Sequence, residues 1–149
     1  MTAAAAPSVR RPGRRALFPE ALPDPEGEAA AAIASLRFTV TLADRSKTID
    51  LTMLAGRKAL ARTFAGALWR ACQVGGPAGS ISTAYAYANA LKTFWRYLDS
   101  AGSHVARLSD VSAVCIDGFD SWMEGSGLHP NHRLHRMSKV LNLLRLAEA

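Results

Sequence analysis

The chain has 149 residues, enough for one domain with a hydrophobic core or for one domain and a tail. It carries 18 basic and 12 acidic residues, and its formal net charge of +6 favours an acidic partner such as nucleic acid or an anionic membrane surface. No apolar run approaches the ~20 residues of a membrane span, and no apolar segment of a secretory signal follows the N-terminal arginines. We therefore expect a cytoplasmic protein with no membrane partner.

Cys72 and Cys115 are the only cysteines, and each lies within an apolar helical pattern. They have neither metal-ligand spacing nor a disulfide framework, so we predict two buried free thiols. His129, His132 and His135 lie close together, but no cysteine or acidic residue nearby completes a ligand set. The sequence therefore predicts no metal and no cofactor.

Residues 1–36 are rich in alanine, proline and acidic residues, and five prolines interrupt any regular element. This composition predicts a disordered, flexible arm, with a short helix over residues 28–36. Four arginines at positions 10–15 suit contacts with DNA phosphates, while a solvated tail is the simpler interpretation of the arm taken alone.

Residues 37–51 alternate apolar and polar side chains, a period of two that is typical of a β-hairpin. Phe38, Val40 and Leu42 form the apolar side of the first strand, and residues 43–47 form the turn, after which the alternation resumes. A lone hairpin is marginally stable, so we expect this one to pack against helices.

The remaining residues, 52–149, have the three- and four-residue apolar spacing of helices and predict four of them in a compact bundle. The first covers residues 52–73, and the second covers residues 82–101 with Gly102 as its C-terminal cap. The first helix buries a stripe that consists of Leu60, Phe64 and Leu68, with Ala61 and Ala65 beside it.

The third helix has Asp110 or Ser112 as its capping residue and ends at the glycine-rich residues 125–127. The fourth helix opens at Pro130, with Asn131 as its N-cap. The buried face of the third helix consists of Cys115, Phe119, Trp122 and Met123. The apolar stripe of the fourth consists of Leu134, Met137, Leu141 and Leu144.

The second and fourth helices each carry an apolar stripe on one face and polar or basic residues on the other. The apolar stripe of the second helix consists of Ala84, Tyr87, Ala88, Leu91, Phe94, Trp95 and Leu98, and its polar face carries Ser82, Tyr85, Asn89, Lys92 and Arg96. The fourth helix has His132, His135, Arg136 and Lys139 away from its stripe. Two such helices in a net-positive domain indicate a surface that contacts phosphates.

Residues 82–98 read Ser-Thr-Ala-Tyr-Ala-Tyr-Ala-Asn-Ala-Leu-Lys-Thr-Phe-Trp-Arg-Tyr-Leu. This segment resembles the core-binding domain of tyrosine recombinases, the phage-integrase and Xer-type enzymes, in which a threonine near the start of the second helix, a tyrosine four residues on and a Leu-x-x-Phe-x-x-Tyr/Phe-Leu run follow in that order. The matching positions are Thr83, Tyr87, Leu91, Phe94, Tyr97 and Leu98. Weaker matches at residues 108–111, 119–122 and 136–138 extend the similarity over roughly residues 52–147.

The resemblance implies a mainly-α fold, a four-helix SAM-like orthogonal bundle whose second and fourth helices meet the major groove of DNA. The implied partners are double-stranded DNA, as a recombination half-site, and other recombinase protomers on that DNA, with association with the nucleoid. The residues expected to contact DNA are Ser82, Thr83, Tyr85, Asn89, Lys92, Arg96, Asn131, His132, Arg133, His135, Arg136 and Lys139.

The chemistry of that family belongs to a second, C-terminal domain with a nucleophilic tyrosine, and we expect that domain to be absent from this chain. We therefore expect a DNA-recognition part for integration and recombination, without strand cleavage or other enzymatic activity of its own. Lys139 also departs from the family pattern, which often has a small residue there. The alternative is a helical protein–protein interaction module that does not bind DNA.

Overall fold

The computed structural model describes residues 30–31, 33–42, 45–73, 75–101 and 104–148. Within these ranges the protein is mainly helical with one antiparallel hairpin, so the predicted mainly-α architecture is confirmed. The elements are β1 (Arg37–Leu42), β2 (Arg45–Asp50), α1 (Lys58–Ala71), α2 (Ile81–Ala101), α3 (Ala113–Gly125) and α4 (Pro130–Glu148). Residues 30, 31 and 33–35 are helical, within the predicted short helix. The arginines of the predicted arm and the predicted Gly102 cap lie outside the described residues.

Strand β1 alternates exposed and buried side chains as predicted, with Phe38 and Val40 in the core, whereas Ile49 is the one buried residue of β2. The register of the hairpin pairs Leu42 with Arg45, so the connection is shorter than the predicted turn over residues 43–47. The extra pairing extends the ladder of backbone hydrogen bonds, which a longer turn would lose. The Phe38 ring meets the Trp69 ring of α1 edge to face at 5.6 Å, and this contact anchors the hairpin on the helices.

The first helix begins at Lys58, later than predicted, because a 3-10 turn occupies Thr52–Leu54. The Asp50 carboxylate accepts hydrogen bonds from the amide and the hydroxyl of Thr52, at 2.9 and 2.6 Å. Short polar side chains that bond nearby backbone in this way compete with helix formation. The predicted stripe of α1 is confirmed, since its members are all buried: Leu60, Ala61, Phe64, Ala65 and Leu68.

Helix α2 lies at the centre of the core and agrees with the predicted second helix. Ser80 caps its N-terminus, since the Ser80 hydroxyl accepts a hydrogen bond from the amide of Thr83 at 3.1 Å. Its whole predicted apolar stripe is buried. The Phe94 ring meets Phe64 of α1 and Phe119 of α3 edge to face, at centroid distances of 5.9 and 5.0 Å. These contacts orient the polar face of α2 outward.

The C-terminal end of α2 is held by Arg57, which precedes α1. The Arg57 guanidinium donates to the carbonyls of Leu98 and Val105 at 3.0 and 2.9 Å and forms an ion pair with Asp99. A cation at the carbonyl end of a helix is also favoured by the helix dipole. Because its side chain is only 12% exposed, Arg57 stabilises the fold and is not offered to a ligand.

Helix α3 begins with Ser112, whose hydroxyl accepts a hydrogen bond from the Cys115 amide at 3.2 Å. The other predicted cap, Asp110, accepts from the amides of Ala106 and Arg107 at 3.0 and 3.2 Å in the 3-10 turn before it. The two candidate caps thus act on two successive elements. The predicted buried face is confirmed for Cys115, Phe119 and Met123, whereas Trp122 is half-buried.

Helix α3 lies close to α2 at Gly118, where a Cβ atom would overlap the hydroxyl of Tyr97. That hydroxyl is buried and donates to the carbonyl of Cys115 at 2.9 Å. Cys115 and Cys72 are both buried free thiols, as predicted. Burial raises the pKa of Cys72 to about 11, so this thiol stays protonated at neutral pH.

Helix α4 packs mainly against α2 and α1. Its buried residues are Val140 and Leu143, which the predicted stripe leaves out; of the predicted positions, Leu134 is wrong because it is 70% exposed, whereas Met137 and Leu144 pack against the core. The C-terminal half of α4 has leucines on several of its sides, so their spacing alone does not determine which face is buried. The other predicted positions are only half-buried: Met137, Leu141 and Leu144. Contact with two helices instead selects the line through Arg136, Val140 and Leu143.

Candidate nucleic-acid interface

The polar face of α2 is open to solvent along its length. Its members are all exposed, as the spacing predicts: Ser82, Tyr85, Asn89, Lys92 and Arg96. They lie opposite the buried stripe because positions three and four residues apart share one side of a helix. Among the described residues, the side chains of Lys92 and Arg96 form no hydrogen bond and no ion pair, so both cations remain available to an anionic ligand.

The hairpin borders this face on one side. The Tyr85 hydroxyl donates to the carbonyl of Thr48 on β2 at 3.3 Å. Hydrogen bonds from Thr52 hold the pKa of the Asp50 carboxyl below its usual value, and the nearby Arg37 and Lys92 cations lower it further. Tyr85 and Lys92 therefore lie toward the hairpin.

Helix α4 borders the same face on its other side, where the two helices enclose a groove of about 210 Å³. Ala86 and Asn89 of α2 line this groove together with three residues of α4, which are His135, Arg136 and Lys139. No acidic side chain is among these lining residues. The structure thus brings together four of the predicted contact residues from both predicted helices. We call this feature the α2–α4 groove.

Arg136 is half-buried at the base of the groove and is held by α2. Its Nε donates to the hydroxyl oxygen of Thr93 at 2.9 Å. The Thr93 hydroxyl in turn donates to the carbonyl of Asn89 at 3.1 Å. Thr93 is only 3% exposed, and among the described residues it is the one buried side chain that is neither apolar, aromatic nor a cysteine. This hydroxyl therefore donates one hydrogen bond within α2 and accepts one from the guanidinium.

Lys139, one helical turn further along α4, lies over an aromatic ring of α2. Its Nζ atom is 5.0 Å from the centroid of the Tyr87 ring, within the range of a cation–π interaction. Tyr87 is only 1% exposed, which agrees with its predicted place in the core. Its hydroxyl accepts a hydrogen bond from Asn142 of α4 at 3.2 Å, so the ring that carries Lys139 is itself fixed.

The start of α4 differs from the prediction that Asn131 is its N-cap. The helix begins at Pro130, a favourable first position because its φ angle is fixed and it has no amide to satisfy. His129 acts as the cap, because its Nδ1 accepts from the amide of Asn131 at 3.1 Å and its carbonyl accepts from the amide of Arg133 at 3.0 Å. The Asn131 amide is therefore already engaged, while the side chains of Asn131 and His132 are exposed.

Two predicted contact residues have other roles. The Arg133 Nε lies 3.3 Å from a carboxylate oxygen of Asp120, and its Nη1 lies 4.0 Å from one of Glu124, both on α3. The Thr83 hydroxyl lies 3.0 Å from the hydroxyl of Ser80 at the N-terminus of α2 and is half-buried. Arg133 joins α3 to α4 and Thr83 supports a helix cap, so neither is included in the candidate interface.

The histidines give no metal centre in the described residues, where no group of three or more metal-ligating side chains comes together. The rings of His129 and His132 lie 5.8 Å apart, and His135 lines the groove. These histidines are therefore a helix cap, an exposed side chain and a groove residue.

Sequence reasoning missed Thr93 and Ala86. Both lie at the edge between the apolar stripe and the polar face of α2, where spacing alone does not separate core from surface. One signal in the sequence could have found them. Ala86, Asn89 and Thr93 are spaced by three and four residues, so the small residue and the hydroxyl share a helix side with Asn89, a predicted DNA contact. Only the position of α4 gives them a role.

Comparison with known proteins adds no relative: no protein-family model, no curated protein and no solved structure matches this chain. Among the helices that the structure describes, none has both the length and the apolar character needed to cross a bilayer. The candidate interface therefore rests on geometry and charge.

Proposed function

We propose that the protein binds double-stranded DNA through the polar face of α2 and the adjoining residues of α4. The observation that carries the proposal is the α2–α4 groove, which is lined by cationic and amide side chains of both helices and by no acidic residue. Phosphate contacts position a protein on duplex DNA, and side chains such as asparagine and arginine read the edges of the bases.

The distribution of negative charge supports this assignment. Most described acidic side chains are engaged away from the groove, either with arginines or with backbone amides: Asp50, Asp99, Asp110, Asp120 and Glu124. The cations of the interface are therefore not opposed by a carboxylate in the groove. An unopposed positive surface attracts phosphates from a distance and strengthens short-range contacts.

Each side chain has a distinct role in this proposal. Lys92 and Arg96 are exposed and bind phosphates on the α2 side of the duplex, while Arg136 and Lys139 bind them on the α4 side. Asn89 lies between the two sets, where its amide suits an adenine edge. On this basis, and on the sequence resemblance, we propose a core-binding domain of tyrosine-recombinase type, which acts in DNA integration and recombination.

The test is the affinity of the full chain for a short duplex of mixed sequence, measured by fluorescence anisotropy. Arg136→Ala and Lys92→Ala should each weaken binding about tenfold, which corresponds to one charge-assisted hydrogen bond of ~1.5 kcal/mol. Lys92 is exposed, so Lys92→Ala should keep the thermal stability of the wild type; Arg136 is half-buried and bonded to Thr93, so Arg136→Ala should lower the thermal stability slightly but leave the protein folded at the temperature of the assay.

The matched control is Arg62→Ala. Arg62 is exposed on α1, which contributes no residue to the groove, and its removal changes the net charge by the same amount. Its affinity should fall much less than that of the interface variants. Equal losses for all three variants would mean that net charge alone governs binding, and unchanged affinity for Arg136→Ala and Lys92→Ala would refute the interface.

The alternative function, a protein–protein interaction module, has little support. The large apolar side chains that the described surface exposes most are Val114 at 80%, Leu134 at 70% and Met53 at 44%. They belong to α3, α4 and the 3-10 turn before α1. Singly exposed apolar residues are normal on soluble domains and do not by themselves mark an interface.

A further inference from the structure

We propose that the α2–α4 groove is a preformed site for one phosphodiester group, in which Thr93 is a positioning residue for Arg136. This inference rests on the proposed function and specifies which atoms of the interface are fixed before DNA arrives. It also separates the cations of the interface into two kinds. Arg136 and Lys139 are held by contacts with α2, whereas Lys92 and Arg96 form no hydrogen bond or ion pair with the described residues.

The hydrogen bond that Arg136 donates to Thr93 determines which edge of the guanidinium faces the ligand. A guanidinium has five N–H donors in one plane, and the Nε donor is occupied by the Thr93 hydroxyl at 2.9 Å. Four donors on Nη1 and Nη2 remain. These two nitrogens form the edge that binds two oxygens of a phosphate at once. A half-buried arginine with a fixed plane therefore presents this edge to the groove.

Lys139 supplies a second cation from the same side of α4, since the two residues are three positions apart on the helix. The Tyr87 ring holds its ammonium group, with 5.0 Å between Nζ and the ring centroid. Asn89 adds an amide from the opposite wall. Two cations and an amide match a phosphodiester, which has one negative charge shared by two non-bridging oxygens.

The size of the groove limits what it can hold. Its volume of about 210 Å³ is below the ~300–1,000 Å³ of pockets that enclose drug-sized ligands. A nucleotide cofactor would therefore not be enclosed, whereas a single phosphate group of a polymer that continues along the surface would fit. Ala86 keeps this space open, because its side chain is a single methyl group.

The first experiment replaces the Thr93 hydroxyl with a methyl group. Thr93→Val keeps the side-chain shape and removes the acceptor, and it should weaken duplex binding roughly two- to tenfold by anisotropy. Thr93→Ser retains the hydroxyl and should bind as the wild type does. Thr63→Val is the matched control, because the Thr63 hydroxyl makes the same bond to a carbonyl four residues earlier, at 3.1 Å, but accepts no hydrogen bond from an arginine of the described residues.

The second measurement separates positioning from a purely structural role. In the double variant Thr93→Val/Arg136→Ala, the loss should equal that of Arg136→Ala alone, because Thr93 acts only through the guanidinium. The slope of log affinity against log salt should fall in magnitude by about 0.9 in Arg136→Ala and stay unchanged in Thr93→Val, which keeps every cation. Additive losses would overturn the positioning role.

The third measurement uses dimethyl phosphate, the smallest phosphodiester, as a probe of the single site. Its addition should shift the NMR signals of the Arg136 Nε–H and the Asn89 amide in the wild type, and less so in Thr93→Val. One result would separate the two claims: Arg136→Ala weakens duplex binding, but Thr93→Val changes neither the duplex affinity nor the response to dimethyl phosphate. In that case the inference fails and the proposed function stands. If Arg136→Ala has no effect on duplex binding, the proposed function fails first.

Discussion

Leu91 and Lys92 are neighbours in the chain, but they lie on different faces of α2, about 100° apart around the helix axis. Leu91 is fully buried, and Lys92 is exposed near the hairpin. The burial of one residue determines the position of the other, because a helix turns by a fixed angle per residue. The apolar side chains of α2 therefore fix the line along which its ligand-facing residues lie.

Leu91→Ala should lower the free energy of unfolding by about 2–5 kcal/mol, because it removes buried apolar atoms and leaves a cavity. Denaturant unfolding of the full chain measures this change. Lys92→Ala is the adjacent control and should change the free energy of unfolding by less than about 0.5 kcal/mol. A small loss for Leu91→Ala would show that α2 does not bury this face.

At the residue scale, the sequence predicted α2 well and α4 poorly. In α2, aromatic and aliphatic residues recur on one side only, so a single helical phase satisfies them. In α4, leucines occur at several phases, and the buried line contains Arg136, whose charge hides it from any apolar pattern. A half-buried arginine is stable there because Thr93 accepts its hydrogen bond, which depends on a helix more than 40 residues away in sequence.

The helices and their connections are defined by short-range caps. Ser80, Ser112 and His129 each accept a hydrogen bond from an otherwise unpaired amide at a helix start. Ser112 was predicted because serine before an apolar run is a common cap, whereas histidine rarely serves as one. The start of α1 was missed because the Asp50 carboxylate binds Thr52 in a 3-10 turn before the helix. The start of β2 was missed because cross-strand pairing already begins at Arg45, within the predicted turn.

Asp110→Asn should lower the melting temperature at pH 7. Hydrogen bonds from the amides of Ala106 and Arg107 hold the pKa of the Asp110 carboxyl below its usual value. A lowered pKa in the folded state stabilises the protein above the unfolded-state pKa of about 3.9, and this stabilisation disappears as the pH falls through the folded-state value. The difference in melting temperature between wild type and variant should therefore close in acid.

Differential scanning fluorimetry between pH 7 and strongly acidic buffer measures this difference. Asp117→Asn provides the control, since Asp117 is exposed on α3 and its side chain forms no hydrogen bond or ion pair with the described residues. A difference for Asp110→Asn that persists unchanged in acid would contradict the assigned role of its carboxylate.

At the scale of the molecule, the hairpin and α4 border the polar face of α2 on two sides. This arrangement was not predictable from charge patterns alone, because spacing shows which residues share a helix face but not which faces become neighbours. Asn89, Arg136 and Lys139 line one groove only because α2 packs against α4. Thr93 and Tyr87 enter the site only through that packing.

Duplex affinity should depend steeply on salt. If Lys92, Arg96, Arg136 and Lys139 each neutralise a phosphate, log affinity should fall against log salt with a slope of roughly −3.6. The measurement is best made in a background where the four arginines at positions 10–15 are replaced by alanine, so that only the helical face contributes. Binding that barely responds to salt would instead indicate a largely apolar contact with another class of partner.

The close approach at Gly118 affects charge as well as packing. Because no side chain separates the α3 backbone from the Tyr97 hydroxyl, α3 lies directly against α2 at this point. The same helix carries Asp120 and Glu124, which pair with Arg133 of α4. A larger side chain at position 118 that displaced α3 would therefore also move the carboxylates that neutralise this arginine.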